Sequence, residues 1–201
     1  MAADAENNWE ELVLRLRAGE EDAFTELVRS FQGRVYGLCY RMLNHPAEAE
    51  DVAQEVFVAI FRYIDHFRGE GNFSTWVLRI AANRCRNHIK YLKRRRHDAK
   101  DTWEEITEHR LDDDHVQRVP RPDQVSEGLE LERLVREGLQ TLDEDHREIL
   151  ILRDMEHLSY QEIAEVLSLA EGTVKSRLSR ARFALRTFLS QRYALVGGGD
   201  G

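Results

Sequence analysis

Thr75, Arg79, Asn83, Arg86, Lys90 and Lys93 recur at steps of three and four residues, which sets them on one face of a helix. The chemistry such a stripe can do is to hold a nucleic acid. Lysine and arginine neutralise phosphates, asparagine bonds an adenine edge, and aromatic rings stack on unpaired bases. Rings are at hand, because the segment just before the stripe contains Phe67, Asn72 and Phe73. A base is read this way only after it leaves its stack. This loop is therefore expected to pocket one flipped base, with Asn83 and Arg86 securing adjacent nucleotides. On the wheel Phe73 also leans toward the core.

A second polar stripe lies near the end of the chain. Thr173, Ser176, Ser179, Arg180 and Phe183 face one way, flanked by Lys175 and Arg177, while Val174, Leu178, Ala181, Leu185 and Phe188 face the other. Two shorter helices precede it. One starts at Leu142-Asp143 and carries His146, Ile149, Leu150 and Arg153. The other opens on the capping box Ser159-Tyr160-Gln161-Glu162, with Ile163, Ala164 and Leu167 inward. Ser168 to Gly172 reads as a tight turn, and Thr173 as the cap of the last helix. Two short helices, a turn and a third helix with a basic outer face describe a helix-turn-helix. An ordinary helical hairpin with a charged exposed face is the plainer alternative. Ser176 and Arg180 are expected at base edges, and Lys175 and Arg177 mainly on the backbone.

The elements that position these stripes are helical. Phe24, Leu27, Val28, Phe31, Val35, Leu38, Cys39 and Met42 keep helical spacing, with Gly33 as an expected bend and Cys39 as a core residue. Asn44-His45-Pro46 supplies a cap and a first-turn proline for a helix through Ile64. Its core face is Val52, Val56, Ala59, Ile60 and Tyr63. The opposite side carries Asp51, Gln54, Val58 and Phe61, beside Glu55. Apolar residues among those polar ones point to a helix that a partner also covers, or to one buried by its own neighbours. Ser74 is placed to cap the basic helix at Thr75.

Charge is distributed in blocks along the 201 residues, which carry a net charge of −8. Residues 79–100 hold nine basic side chains against Asp98 alone. Residues 101–132 hold eleven acids against three arginines, and residues 171–192 hold six basic side chains against Glu171. Basic, acidic, basic is the pattern of two nucleic-acid-facing modules on an acidic tether, although charge runs are also ordinary solvated faces. Residues 97–128, with two of the three prolines, read as that tether, with one weak helix around Trp103 to Leu111. No apolar run approaches the roughly 18 residues of a membrane span, and the first residues lack a signal-peptide core, so a cytoplasmic chain without membrane insertion is expected. Two cysteines and scattered histidines offer neither a disulfide scaffold nor a metal site. No phosphate-binding glycine loop, zinc-protease motif or nucleophile elbow occurs. The expectation is a chain that is not an enzyme and needs no cofactor.

Three segments in order resemble the extracytoplasmic-function group of the sigma-70 family of bacterial RNA polymerase sigma factors. They are Ala49 to Phe57 (AEDVAQEVF), Phe73 to Asn83 (FSTWVLRIAAN) and Leu158 to Ala164 (LSYQEIA), the last continuing through Glu171 to Arg182. The resemblance covers most of Glu20 to Leu189. It implies an all-α fold of two small helical domains joined by an acidic flexible linker. A region 2-like domain would span 9–96, the linker 97–128, a region 4-like helix-turn-helix domain 129–192, and a flexible tail 193–201. It further implies that Asp51, Gln54, Glu55 and Val58 dock on the β′ clamp helices of core RNA polymerase. Phe67, Asn72, Phe73, Thr75, Arg79, Asn83, Arg86 and Lys90 would melt and read the minus-ten element. Thr173, Lys175, Ser176, Arg177 and Arg180 would read the minus-thirty-five element, with the same domain meeting the β flap. Promoter DNA, core polymerase and an anti-sigma factor are the implied partners, and the linker would pass toward the RNA exit path. A stand-alone helix-turn-helix regulator shares only the last third, and an enzyme with a DNA-binding tail lacks visible catalytic residues.

Overall fold

The computed structural model describes residues 2–69, 71–103 and 127–196, and among them every regular element is helical. A first body holds α1 (Ala2–Arg17), α2 (Glu21–Leu43), α3 (Pro46–Tyr63), a 3₁₀ turn (Ile64–His66) and α4 (Phe73–Trp103). A second body holds α5 (Glu127–Thr141), α6 (Glu144–Leu150), a π-helical turn (Ile151–Met155), α7 (Tyr160–Leu167) and α8 (Glu171–Val196). None of the described helices is long and apolar enough to cross a membrane.

The long apolar stripe of α2 packs on α3 and α4, burying Leu27, Phe31, Val35, Leu38, Cys39 and Met42. Helix spacing alone dictates that stripe. The helix runs unbroken through Gly33 to a left-handed C-cap at Asn44, φ 55°. His45 then caps α3, its Nδ1 accepting from the Glu48 amide at 3.3 Å, and Pro46 takes the first helical position, where no amide donor is required. Val52, Val56, Ala59 and Ile60 are buried as expected, but Tyr63 is exposed: α3 gives way to the 3₁₀ turn there, and Ile64 takes the inward position.

The start of α4 is set by aromatic packing. Phe73 lies against Phe67 (5.2 Å between ring centroids), Trp76 (5.7 Å), Trp9 (5.8 Å) and Phe31 (5.9 Å). The helix therefore begins at Phe73 rather than Thr75, and its cap is Asn72, whose side chain accepts from the Ser74 amide at 2.8 Å. Ser74 is not the cap. The helix also continues past 96 to Trp103, through the first residues assigned to the tether. The expected weak helix from Trp103 and most of the acidic stretch lie outside the described residues, as does the end of the tail.

In the second body the capping box at Ser159 and Glu162 forms in full. Ser168 ends α7 in the left-handed region, φ 55°, and α8 starts at Glu171. Thr173 thus sits inside the first turn of α8 instead of capping it. Ile149, Leu152, Ile163, Val174 and Leu178 form the centre of the packing. Two helices, α1 and α5, have no counterpart in the sequence reading.

Replacing Phe73 by alanine removes a ring that is only 3% exposed and leaves a cavity among four others. The variant is expected to lose about 3–5 kcal/mol in urea unfolding. Unchanged stability would return Phe73 to the role of a free, base-stacking ring.

Candidate nucleic-acid interface

Along α4 the basic stripe falls on one face as the periodicity requires. Arg79, Asn83 and Lys90 are exposed, Arg86 is half-buried, and the Arg86 guanidinium donates to Asn83 Oδ1. Thr75 is only 6% exposed, and its hydroxyl donates to Glu162 Oε1 of α7 at 2.7 Å. Asn72 is exposed but engaged as the α4 cap. Phe67 and Phe73, expected to offer rings to a base, are instead buried in the aromatic cluster at 8% and 3% exposure. A loop phenylalanine beside a basic helix has the same sequence signature whether it faces a base or a core. Here Phe73 and Trp76 settle the place of Phe67, and Trp9 and Phe31 that of Phe73.

The outer face of α8 is open. Lys175, Ser176 and Arg180 are exposed, while Thr173 and Arg177 are partly covered. Arg177 Nη1 reaches Asp145 at 2.6 Å, and Arg182 pairs with Asp154, so these arginines brace α8 against the helices beneath it. Lys175 lies 5.8 Å from the Tyr160 ring centroid, a cation–π contact that holds the ammonium at the edge of this open face. On α3, Asp51, Gln54, Glu55 and Val58 share an exposed face with Phe61; Val58 is 49% and Phe61 54% exposed. Phe61 touches Phe24 edge-on at 5.8 Å, and Glu55 is 3.7 Å from Arg84.

The two bodies meet through polar side chains that the sequence reading did not single out. Glu156 presents Oε2 to Arg34 Nε at 2.8 Å and Oε1 to Arg41 Nη2 at 2.6 Å. Arg147 donates to the Met42 carbonyl at 3.0 Å, as well as to those of Leu139, Gln140 and Leu142. Lys93 pairs with Glu144 at 2.7 Å, and Arg86 Nε lies 3.4 Å from Glu148 Oε1. Pairs separated by 51 to 122 residues leave no local pattern to read.

Two carboxylates in this contact are shifted in opposite senses. Burial pushes the Glu148 carboxyl up to about 7; Arg86 opposes the shift, and Asp145 and Glu144 add to it. Burial also pushes Glu162 up, but the Ser159 amide and the Thr75 and Ser159 hydroxyls outweigh it and hold the group below its ordinary value. Hydrogen bonds to the ionised form make the difference. Cys39 and Cys85 are fully buried, and the Cys85 thiol is pushed well up by Cys39 beside it and by burial, away from the thiolate a nucleophile needs. Among the described residues no group of His, Cys, Asp and Glu could hold a metal ion.

Comparison with known proteins places this geometry. Residues 27–96 match the family model for Sigma-70 region 2, and residues 132–185 that for Sigma-70, region 4. The chain is 39% identical to the RNA polymerase sigma-H factor of Pseudomonas aeruginosa over 88% of its own length and 91% of the relative's. It is 38% identical to the ECF RNA polymerase sigma-E factor of Haemophilus influenzae, over 85% of its length and 89% of the relative's. Among solved structures it resembles CnrH in complex with the cytosolic domain of CnrY, at 26% identity and a TM-score of 0.62, covering 90% of this chain and 96% of that one.

The Glu148 shift fixes a pH dependence. The folded chain holds a proton that the unfolded chain releases between the ordinary carboxyl value and about 7. Stability from this group is therefore full below the ordinary value and is lost as pH rises through about 7. The melting temperature should fall from about pH 5 to about pH 8, and Glu148→Gln should flatten the fall. An equally steep fall in the variant would contradict the assignment.

Proposed function

Because the chain belongs to the extracytoplasmic-function group of the sigma-70 family, we propose that its exposed helix faces divide the work of an alternative sigma factor, a subunit that directs transcription initiation. The α3 face of Asp51, Gln54, Glu55 and Val58 docks on the β′ clamp helices of core RNA polymerase. The α4 face of Arg79, Asn83, Arg86 and Lys90 takes the opened minus-ten strand, with Asn72 at its leading edge; Thr75, buried against Glu162, is not on that open face. Helix α8 enters the major groove of the minus-thirty-five element through Ser176 and Arg180, while Thr173, Lys175 and Arg177 hold the backbone. The second body also meets the β flap, and the acidic segment between the bodies passes toward the RNA exit path. An anti-sigma factor holds the chain inactive in the cytoplasm until a stress or envelope signal arrives. The division into 9–96, 97–128, 129–192 and 193–201 follows these tasks rather than the helix ends.

The observation that carries this reading is the exposure of α3. A helix that buries Val52, Val56 and Ile60 yet leaves Val58 and Phe61 about half in water beside three polar side chains has a second apolar surface to cover. A regulator that bound DNA alone would have no use for it. The base-capturing task passes from Phe67 and Phe73, which are occupied in the core, to the polar side chains of α4.

Truncating residues central to an interface costs on the order of 2 kcal/mol or more, about thirtyfold in affinity. The double variant Asp51→Ala/Gln54→Ala should weaken core-polymerase pull-down by at least that factor with unchanged far-UV circular dichroism. Arg180→Ala should instead leave pull-down intact and cost roughly 1–3 kcal/mol of minus-thirty-five discrimination. Undiminished pull-down by the double variant would remove Asp51 and Gln54 from the docking site, whereas specific DNA binding by an unaltered chain that leaves core polymerase untouched would favour the stand-alone regulator.

A further inference from the structure

The open polar line of α8 contains one apolar member. Val174, Leu178 and Ala181 are buried on the other side of the helix. Leu185 and Phe188 close so tightly on Gly138 of α5 that a Cβ there would stand 2.6 Å from Leu185 Cδ1. These contacts fix the rotation of α8 and turn Phe183 outward. It is 72% exposed, more than any other large apolar side chain among the described residues. A single ring in water is ordinary on a protein surface. Its register is what matters here. Seven residues make almost two full turns, so Phe183 stands in line with Ser176, roughly 10.5 Å farther along the axis. Arg180 lies between them on the same face, and Thr187, whose hydroxyl donates to the Phe183 carbonyl at 3.0 Å, continues it.

The chemistry of that line narrows what the ring can meet. Helix α8 carries no acid after Glu171, and the exposed Arg180 and Arg186 stand about one turn to either side of Phe183. An apolar protein groove closing over the ring would strip water from both guanidiniums and offer them no charge in return. A DNA duplex satisfies both demands, with phosphates along the rims of its groove and base edges on the floor. The floor of the major groove displays donors, acceptors and a single apolar group, the C5 methyl of thymine. The N-terminal end of a groove-reading helix lies nearest the base edges, where the short Ser176 side chain suffices. Two turns farther on a longer side chain is needed, and phenylalanine is one.

We propose that Phe183 is a specificity-determining residue that reads thymine. Its ring covers the C5 methyl of one thymine in the minus-thirty-five element, about three base pairs from the base that Ser176 meets. This rests on the reading of α8 as the major-groove helix. It adds a contact that Ser176 and Arg180 cannot make, because a methyl group neither donates nor accepts a hydrogen bond.

The test uses the full chain assembled with core RNA polymerase. A binding duplex is selected from a random-sequence pool, and the upstream footprint marks the minus-thirty-five element. Each thymine within it is then replaced singly by deoxyuridine, which removes the C5 methyl and leaves every hydrogen-bonding group in place. With the native chain one replacement should weaken binding about fourfold, the worth of one buried methyl. Alanine keeps an exposed helical position helical, so Phe183→Ala tests the ring and not the fold. It should bind the thymine duplex about fourfold more weakly and no longer distinguish thymine from deoxyuridine at that position. Phe183→Leu should keep part of the distinction. A native chain indifferent to every replacement, or equal sensitivity in Phe183→Ala, would overturn the proposal. So would a Phe183→Ala chain that loses affinity for core polymerase and keeps the methyl sensitivity, which assigns the ring to a protein contact. Arg180→Ala, tried against base-pair substitutions across the element, separates the thymine contact from the wider reading. If it relaxes discrimination at one base pair while Phe183→Ala changes nothing, α8 remains the reading helix and only the thymine contact falls. If neither variant alters the response to any base pair, the assignment of α8 to the element falls as well.

Discussion

Phe73 sits in the first turn of α4 with Phe67, Trp76, Trp9 and Phe31 packed around it, and this packing fixes both where the helix starts and how it is rotated. Side chains a turn apart follow that rotation. With the ring held inward, Val77, Leu78, Ala81, Ala82 and Cys85 are buried while Arg79, Asn83 and Lys90 face water. A small shift in phase would drive arginines toward the core, where an unpaired charge is far too costly to persist. The exposed polar face proposed to bind the strand is thus a consequence of apolar packing on the other side of the same helix. Helix α8 repeats the logic, with Val174, Leu178 and Ala181 inward and Ser176 and Arg180 outward.

The contact between the two bodies obeys a different rule. It is made by arginines and glutamates whose geometry ranges from the doubly bonded Glu156 to the poorly matched Arg86 and Glu148. Ion pairs that leave water recover little net free energy, because desolvation takes back most of the attraction. Such a contact orders the bodies without fusing them. That suits the proposed arrangement, in which two faces serve promoter elements separated along a duplex.

Local features were legible in the sequence. The Ser159–Glu162 capping box needs only four residues, and the buried stripes of α2, α3 and α8 need only periodicity, so both could be read directly. The helix-turn-helix followed from these, and the two-domain all-α architecture from the family segments. Helices α1 and α5 escaped because their sequences, AADAENNWEELVLRLR and EGLELERLVREGLQT, are charge-rich with short apolar stripes. Phe67 and Phe73 are given to the base pocket, even though the wheel leans Phe73 toward the core, because one helix does not show what packs on it from α1 and α2. The covering of Thr75 by Glu162 was invisible for a stronger reason: the two are 87 residues apart and meet only through the placement of whole domains.

Helices α4 and α8 are proposed to serve different promoter elements within one polymerase complex. A photo-crosslinking amino acid placed at Lys90 in one variant and at Ser179 in another, each assembled with core polymerase on promoter DNA, tests it directly. The Lys90 probe should label the minus-ten strand and the Ser179 probe the minus-thirty-five duplex, with no exchange between them. Labelling of the same element by both probes, or of DNA by neither, would contradict it.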